Sequence, residues 1–295
     1  MAGLLWLIRA IKCYSNLNQY KSISRVVLGM GNYKCLSEEL VKYMKLRTLP
    51  IGFKFLERKS ELKNIKNIRK LENNIKTCQM ITLARVNGWT IGASLEDFSD
   101  AFCPAYLGLC ERAGYVLDGT FRNMVWFKDR EDAVKCEKNM PCIKAGTFQA
   151  IAVAPLAGEK FEPDVVLIYA TPAQMILLIN ALQWKDYEQM VSYCVGESSC
   201  NDALVRCYLT KKPQITFPSV GERIYANVEE DEVVMGLPPH LMGKIIDGLK
   251  NLYMRGIRYP IPSIAPQADP TTGMPKEYKE VGTVAREEAL KKWGV

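Results

Sequence analysis

Runs of apolar residues along the middle of the chain predict the strands of a sheet. Residues 51–56 alternate between apolar and polar positions, which is typical of a half-buried strand. Residues 148–154 and 165–170 are almost continuously apolar, which is typical of buried strands. Shorter strands are predicted at 89–94, 124–127, 214–217, 223–227 and 232–235.

Helices are predicted where a capping residue precedes a run with apolar residues on one face. Thr77 is placed to cap a helix over 78–86, and Gly88 is placed to end it. Further helices are predicted at 37–46, 129–138, 172–184, 199–209 and 241–253. Together these elements predict an α+β fold, with a mixed sheet and packed helices in a single large domain.

The two ends of the chain differ from this middle part. Residues 1–29 lack its regular pattern, so we interpret them as a loosely attached N-terminal extension. The α+β domain is predicted over 30–257. Prolines and weak periodicity predict an irregular C-terminal arm over 258–295, which lies on the surface or on a partner.

Composition and charge exclude several classes of protein. The net charge is +7, but the basic residues are scattered among 32 acidic ones. The one basic stretch, 54–76, has too few aromatic residues to stack bases, so no nucleic-acid partner is expected. The apolar stretch 1–11 is too short for a transmembrane segment. Ten cysteines without a secretory signal indicate a reducing compartment, and we expect a cytoplasmic protein.

Three cysteines at predicted helix starts carry the main functional hypothesis. Cys103 precedes Pro104, which suits the first turn of a helix, and Cys78 and Cys200 also fall in first turns. Unpaired amides and the positive end of a helix favour a thiolate there. Because His240 is the only histidine in the sequence, a metal site must use other ligands, and thiolates are the natural choice.

We therefore expect Cys78, Cys103 and Cys200 to bind an iron–sulfur cluster, with 4Fe-4S favoured, or another thiolate-bound metal. The sequence contains no Cys-x-x-Cys pair, so distant segments must bring these ligands together. Ser219, Cys142 or an external ligand would complete the site. Three protein thiolates would leave one iron open to a substrate or to electron exchange with a redox partner.

Two other functions are consistent with the same residues. A metal-free protein, enzyme or not, would bind a small anionic molecule at the helix starts near Ser199. Arg223 or Arg206 would supply charge to that pocket, and Tyr106 and Trp89 would line it. An accessory subunit of a larger complex, or a homo-oligomer, would need none of the cysteines, and a buried cysteine is more often a packing residue than a ligand.

Several spaced motifs between residues 36 and 252 give the chain a resemblance to a known family. They are Leu49-Pro50-Ile51-Gly52-Phe53-Lys54-Phe55, Cys78, Cys103-Pro104-Ala105 with Leu107-Gly108, Ala154-Pro155-Leu156, Pro163-Asp164-Val165-Val166-Leu167-Ile168, Thr171-Pro172-Ala173-Gln174, Cys200, Gly221-Glu222-Arg223 and 232–238. With these motifs the chain resembles the domain-of-unknown-function family 169, uncharacterised proteins of bacteria and archaea, many of them anaerobes.

The resemblance implies a fold of mixed strands and helices but no established activity. It places the expected cluster in anaerobic metabolism. In the family pattern a cysteine is frequent at the position of Ser219, within a Pro-Cys-x-Gly-x-Arg turn. This chain has serine there, which puts a fourth protein thiolate in doubt.

Overall fold

The computed structural model of the protein describes residues 32–71, 74–261 and 276–294. The predicted extension over 1–29 lies outside these residues. The helices are α1 (Tyr33–Met44), α2 (Thr77–Asn87), α3 (Phe102–Tyr106), α4 (Gly114–Leu117), α5 (Thr120–Val125), α6 (Arg130–Asn139), α7 (Pro172–Gln183), α8 (Arg206–Thr210), α9 (Val220–Ala226), α10 (Met242–Met254) and α11 (Lys276–Trp293). The strands are β1 (Ile51–Leu56), β2 (Ile91–Ser94), β3 (Ala150–Pro155), β4 (Val165–Ala170), β5 (Gln214–Thr216) and β6 (Val233–Leu237). A π-helix (Cys200–Val205) precedes α8, and short 3-10 turns lie at Lys59–Asn64, Leu95–Asp97, Leu156–Gly158 and Pro239–Leu241.

The strands form a six-stranded sheet in the order β2-β3-β1-β4-β6-β5. These strands pair antiparallel throughout, and in the centre of the sheet Phe53 lies opposite both Val153 of β3 and Val165 of β4. Parallel pairing among the described residues is limited to two isolated bridges, Arg69–Ile91 and Ile75–Phe98. The α+β class is confirmed, but the sheet that the six strands form is antiparallel and not mixed, because the two parallel bridges lie outside the strand pairings.

Helices cover both faces of the sheet, so its central strands are buried on both sides. Along β4, Val165, Leu167 and Tyr169 pack on one face, which we call the cysteine face, and the residues between them pack on the other. The cysteine face is covered by α2, the π-helix and α9. The opposite face is covered by α1, α7 and α10. Double-sided burial explains why β3 and β4 are continuously apolar in sequence.

The strongly patterned segments form the elements that the sequence predicts. The predicted strands over 51–56 and 165–170 match β1 and β4 residue for residue. The helix α2 ends at Gly88, whose φ of 72° is the left-handed conformation that favours glycine. The helix α7 begins after Thr171, whose hydroxyl accepts a hydrogen bond from the Gln174 amide at 3.3 Å.

Two predicted strands are helical instead. Residues 124–127 belong to α5 and the turn after it, and 223–227 belong to α9 and its C-cap. The reason for α9 is local: the Ser219 amide donates to Glu222 Oε2 at 2.9 Å, and the Glu222 amide donates to Ser219 Oγ at 3.4 Å. This reciprocal capping starts a helix although the apolar residues that follow would suit a strand.

Two further boundaries differ from the predictions. The helix α1 begins at Tyr33, so Ser37 is a buried residue inside it and not its cap. Residues Lys276–Trp293 form a helix where an irregular arm was predicted, and none of its described residues is buried. Of the helices described here, none is both long enough and apolar enough to span a membrane.

The π-helix lies directly against β6. A Cβ atom at Gly236 would overlap the backbone of Ala203, so only glycine allows the π-helix to approach the strand this closely. Cys200 is the first residue of the π-helix and packs against the hydrophobic core of the cysteine face. The close approach therefore places a cysteine over the sheet, in a type of helix that is common at functional sites.

Candidate functional site: a buried thiol and carboxyl cluster

The three cysteines predicted as ligands come from three separate segments and meet on the cysteine face. Cys78 is the second residue of α2, Cys103 is the second residue of α3, and Cys200 begins the π-helix. Burial is the largest cause of the raised pKa of Cys78 and of Cys200. After burial, Cys103 contributes to the pKa of Cys78, and both Cys103 and Cys78 contribute to that of Cys200. The thiols therefore lie within electrostatic range of one another.

Burial of the three cysteines opposes the thiolate form that the sequence predicts. Burial raises the pKa of Cys78 to about 12, and it also raises the pKa of Cys103 and Cys200. At Cys103, Asp100 adds to the rise in pKa, while Thr77 and Lys76 oppose it. The helix α3 has only five residues, so its dipole is too weak to outweigh burial.

Glu222 is the fourth member of this group, and sequence reasoning missed it as a site residue. Its side chain is buried, and after burial its charge is the largest contribution to the raised pKa of Cys200. The Tyr169 hydroxyl donates to Oε1 at 3.1 Å. The Ser199 hydroxyl and the Ser219 amide donate to Oε2, the amide at 2.9 Å. The carboxyl group thus links β4, the π-helix and α9 beside the cysteines.

Burial also raises the pKa of Glu222, although the Ser219 amide, the Tyr169 hydroxyl and the Arg85 charge act in the opposite direction. The Arg85 guanidinium lies 4.2 Å from the centre of the Tyr169 ring and pairs with Glu232 at 2.6 and 2.9 Å. Arg85 is therefore neutralised by Glu232, and among the described residues no cation pairs directly with the buried Glu222. Such a group is suited to bind a metal or a hydrogen-bonding ligand.

Lys76 and Asp100 border the cluster next to Cys103. The Lys76 ammonium pairs with the Asp100 carboxylate and lies 4.7 Å from the centre of the Tyr225 ring. The Asp100 carboxylate also accepts a hydrogen bond from the Phe102 amide at 3.0 Å, which fixes the start of α3. This ion pair holds α2 and α3 together at the point where both contribute a cysteine.

Of the predicted ligand-binding residues, two join the cluster and two do not. Ser199 and Ser219 both contact Glu222 Oε2. Tyr106 lies in a separate buried network, where its hydroxyl donates to Glu137 at 2.8 Å and accepts from Arg122 at 2.7 Å. The Arg223 guanidinium donates to the Glu229 carbonyl at 2.7 Å, which ties α9 to the loop that follows it.

Cys142, proposed as an alternative fourth ligand, also lies elsewhere. Its thiol contacts the carbonyl oxygens of Ala105 at 3.5 Å and Ile143 at 3.3 Å. Burial raises its pKa, with Arg112, Glu137 and Cys110 as the neighbouring charges. Beside the three cysteines, Glu222, Ser219 and Asp100 are groups that could add a ligand.

The site as it stands is not arranged around a single ion. Within the ranges that the structure describes, no group of three or more His, Cys, Asp or Glu side chains could hold a metal ion. A zinc ion would need thiolates about 2.3 Å from one point. The three thiols lie within electrostatic range of one another without forming such a group.

A cleft of about 400 Å³ opens between α2 and α9. Its walls include Ile75, Leu83, Gln79, Tyr225 and Asn227. In the part of the chain that the structure describes, its lining residues are uncharged. The cleft therefore lacks the cation that the predicted pocket for a small anion requires.

Comparison with known proteins agrees with this arrangement of motifs. A family model described as "Uncharacterised ArCR" (DUF169) matches residues 39–248. The chain is 24% identical over 229 residues to the uncharacterized protein MJ0308 of Methanocaldococcus jannaschii, covering 73% of this chain and 92% of that protein. No solved structure matches the chain significantly. Since the family model spans well over half of its length, the chain belongs to the domain-of-unknown-function family 169.

Proposed function

We propose that this protein binds an iron–sulfur cluster through Cys78, Cys103 and Cys200. The observation that carries the proposal is the proximity of three thiols from segments more than twenty residues apart, two of which, Cys78 and Cys200, also lie within electrostatic range of the buried Glu222 carboxyl group. Buried thiols that are only packing residues have no reason to gather beside a buried acid, because burying the acid costs stability.

A cluster suits the three thiols better than a single ion does, because they lie within electrostatic range of one another but, among the described residues, form no group that could hold one metal ion. In a cluster, iron and sulfide atoms stand between the thiolates, so the cysteine ligands lie farther apart than those of one ion. Binding would displace the protons that burial keeps on the three thiols. Ser219 or Glu222 would supply an oxygen at the fourth position, or that iron would stay open.

When bound, a cluster with one non-thiolate position supplies either electron transfer or a coordination site for a small molecule. The chain's own contribution is burial, which excludes water from the site, together with the hydrogen bonds that orient Glu222. A redox partner or a small anionic molecule would be the corresponding ligand. Molecular oxygen would oxidise such a cluster and its cysteine ligands. We therefore propose a role in anaerobic metabolism, in a reducing cytoplasm.

Anaerobic purification of the full chain, followed by measurement of iron and acid-labile sulfide, tests the proposal. We expect a brown protein that contains both elements in stoichiometric amounts. Substitution of Cys78, Cys103 or Cys200 by serine should remove most of the iron. Cys110→Ser and Cys194→Ser are matched controls, because both thiols are free and lie outside the cluster, and they should leave the iron content unchanged.

Ser219→Cys tests the proposal by adding a possible ligand, where the preceding substitutions remove one. A fourth thiolate next to Glu222 should increase the amount of iron retained in air, since cysteine is the usual ligand of such clusters. A colourless protein that folds, takes up no iron on reconstitution and is indifferent to these substitutions would refute the proposal. The metal-free alternatives would then remain.

A further inference from the structure

A second site lies on the opposite face of the sheet from the cysteines. A cleft of about 680 Å³ opens between the end of α1 and the segment that leaves α10. It is lined by Lys42, Tyr43, Lys45, Tyr253, Arg258, Tyr259, Pro260 and Ile261. Its volume falls within the range of about 300–1,000 Å³ that is common for small-molecule sites.

The cleft contains three positive charges and, among the described residues that line it, no carboxylate. Lys42, Lys45 and Arg258 form no ion pair with any described residue, whereas Lys250 on the adjacent helix pairs with Glu39 at 2.9 Å. The end of α1 favours the two lysines through the helix dipole. Arg258 lies beyond α10, so no helix end accounts for its charge in the same cleft.

Aromatic rings stand beside these charges. The rings of Tyr43 and Tyr253 pack edge to face, with centres 5.5 Å apart. The Lys42 ammonium lies 5.5 Å from the Tyr43 ring centre, and the Arg258 guanidinium lies 5.6 Å from that of Tyr253. Tyr43 and Tyr259 pack against the core of the opposite face, so one side of the cleft is firmly anchored.

We propose that this cleft binds a nucleotide, with its phosphates on the three cations and its base against the tyrosine rings. Phosphate oxygens form strong charge-assisted hydrogen bonds with lysine and arginine. A flat base adds stacking on an aromatic ring, which does not depend on the identity of the base. The three charges in this concave site match a nucleoside diphosphate.

Isothermal titration of the full-length chain with ADP, with inorganic phosphate and with adenosine tests the proposal. ADP should bind more tightly than either fragment, because only ADP reaches both the cations and the rings. The affinity for ADP should fall by at least about tenfold in Lys45→Gln and in Arg258→Gln, since each removes a charged hydrogen-bond donor. Lys63→Gln and Lys66→Gln are matched controls on exposed cations elsewhere and should leave the affinity unchanged.

Tyr253→Leu distinguishes the contribution of the tyrosine rings, which contact the base, from that of the cations, which bind the phosphates. It should weaken ADP while leaving the weaker binding of inorganic phosphate as it was. Three outcomes would overturn the proposal: no binding of ADP at millimolar concentration, equal affinity for ADP and inorganic phosphate, or equal losses in the cleft variants and the lysine controls. The titration uses protein without iron, so its result does not depend on the proposed cluster.

Discussion

Arg85 is among the largest side chains that the fold buries completely. Its guanidinium forms two hydrogen bonds with Glu232, at 2.6 and 2.9 Å, and stacks on Tyr169. The pair joins α2, which carries Cys78, to the residue that precedes β6. A buried ion pair adds little stability in itself, but the loss of one partner leaves an unpaired charge in the core.

Replacement of Glu232 by glutamine should therefore reduce the free energy of unfolding by about 3–5 kcal/mol. The neighbouring residue provides the control. Asp231 pairs with Arg47 at 2.5 Å, but both side chains are about half exposed, at 56% and 47%. Asp231→Asn should cost less than about 1 kcal/mol. Urea unfolding of the two variants measures the difference, and similar losses would show that burial of the Arg85 pair is unimportant.

The pKa of Asp97 leads to a prediction of how the free energy of unfolding changes as the pH falls. Burial alone would raise its pKa, but the Ser94 amide and hydroxyl and the Lys70 ammonium outweigh burial, and the net pKa is lower than the ordinary 3.8. A carboxyl group with a lowered pKa stabilises the fold above its unfolded pKa, and this contribution is lost as the pH falls through the folded pKa.

Asp97→Asn should therefore be less stable than the unchanged protein at neutral pH, and the two should converge as the pH falls below about 3.8. Urea midpoints measured from neutral pH down to about pH 2.5 would follow this convergence. Parallel curves would mean that the Asp97 carboxylate contributes nothing specific to folding.

Single residues also show where reading the sequence succeeds and where it stops. Cys78, Cys103 and Cys200 can be found because each stands next to a helix-start signal such as Pro104. The protonation state of these cysteines cannot be predicted from helix-start signals, because it depends on burial, and burial depends on packing against distant segments. The position of Glu222 at a helix start could be predicted, since Ser219 and Glu222 have the spacing of a capping box. The apolar residues after Glu222, however, favour a strand.

At the scale of elements, local signals predict the elements with clear caps, and tertiary packing decides the rest. The strand β1 and the helix α7 have unambiguous patterns, and both form as predicted. The helix α5 is short, and its apolar residues suggest a strand, yet it is held by Arg122, which is buried against Glu137 and Glu197. The partner carboxylates lie in other segments, so no local pattern could reveal them.

Close packing of two helices gives a prediction at this scale. A Cβ atom at Gly248 of α10 would overlap the backbone of Ala181 in α7, whereas a Cβ at Gly243 of the same helix would meet nothing. Gly248→Ala should destabilise the protein by about 1–3 kcal/mol because the helices must separate. Gly243→Ala should be neutral or stabilise it by up to about 1 kcal/mol, since alanine favours a helix.

Thermal unfolding of the two alanine variants compares them within a single helix, so differences in helix propensity cancel. Loss of stability in both would mean that α10 requires flexibility at these positions. Loss in neither would mean that α7 and α10 can move apart without cost, and the close packing would then be unimportant.

For the molecule as a whole, the sheet separates two sites of different chemistry, which lie on its opposite faces. One face holds buried thiols and a buried acid, and the other holds exposed cations and tyrosines at the ends of α1 and α10. The strands β4 and β6 contribute residues to both layers. Ligands at the two sites would therefore not compete for the same space, and each can be tested while the other is empty.

The C-terminal helix is separate from this arrangement and supports the last prediction. The helix α11 spans 18 residues, and none of its described residues is buried. Tyr278, Val281 and Trp293 are at least two-thirds exposed. Since none of the described residues of the helix is buried, it should contribute little to the stability of the domain. A chain that ends at Pro275 should unfold within about 2 °C of the full chain. A chain that ends at Gly248 loses the buried Leu249 and Leu252 and should unfold at a clearly lower temperature. Scanning calorimetry would compare all three, and a large drop for the chain that ends at Pro275 would show that α11 packs on the domain in solution.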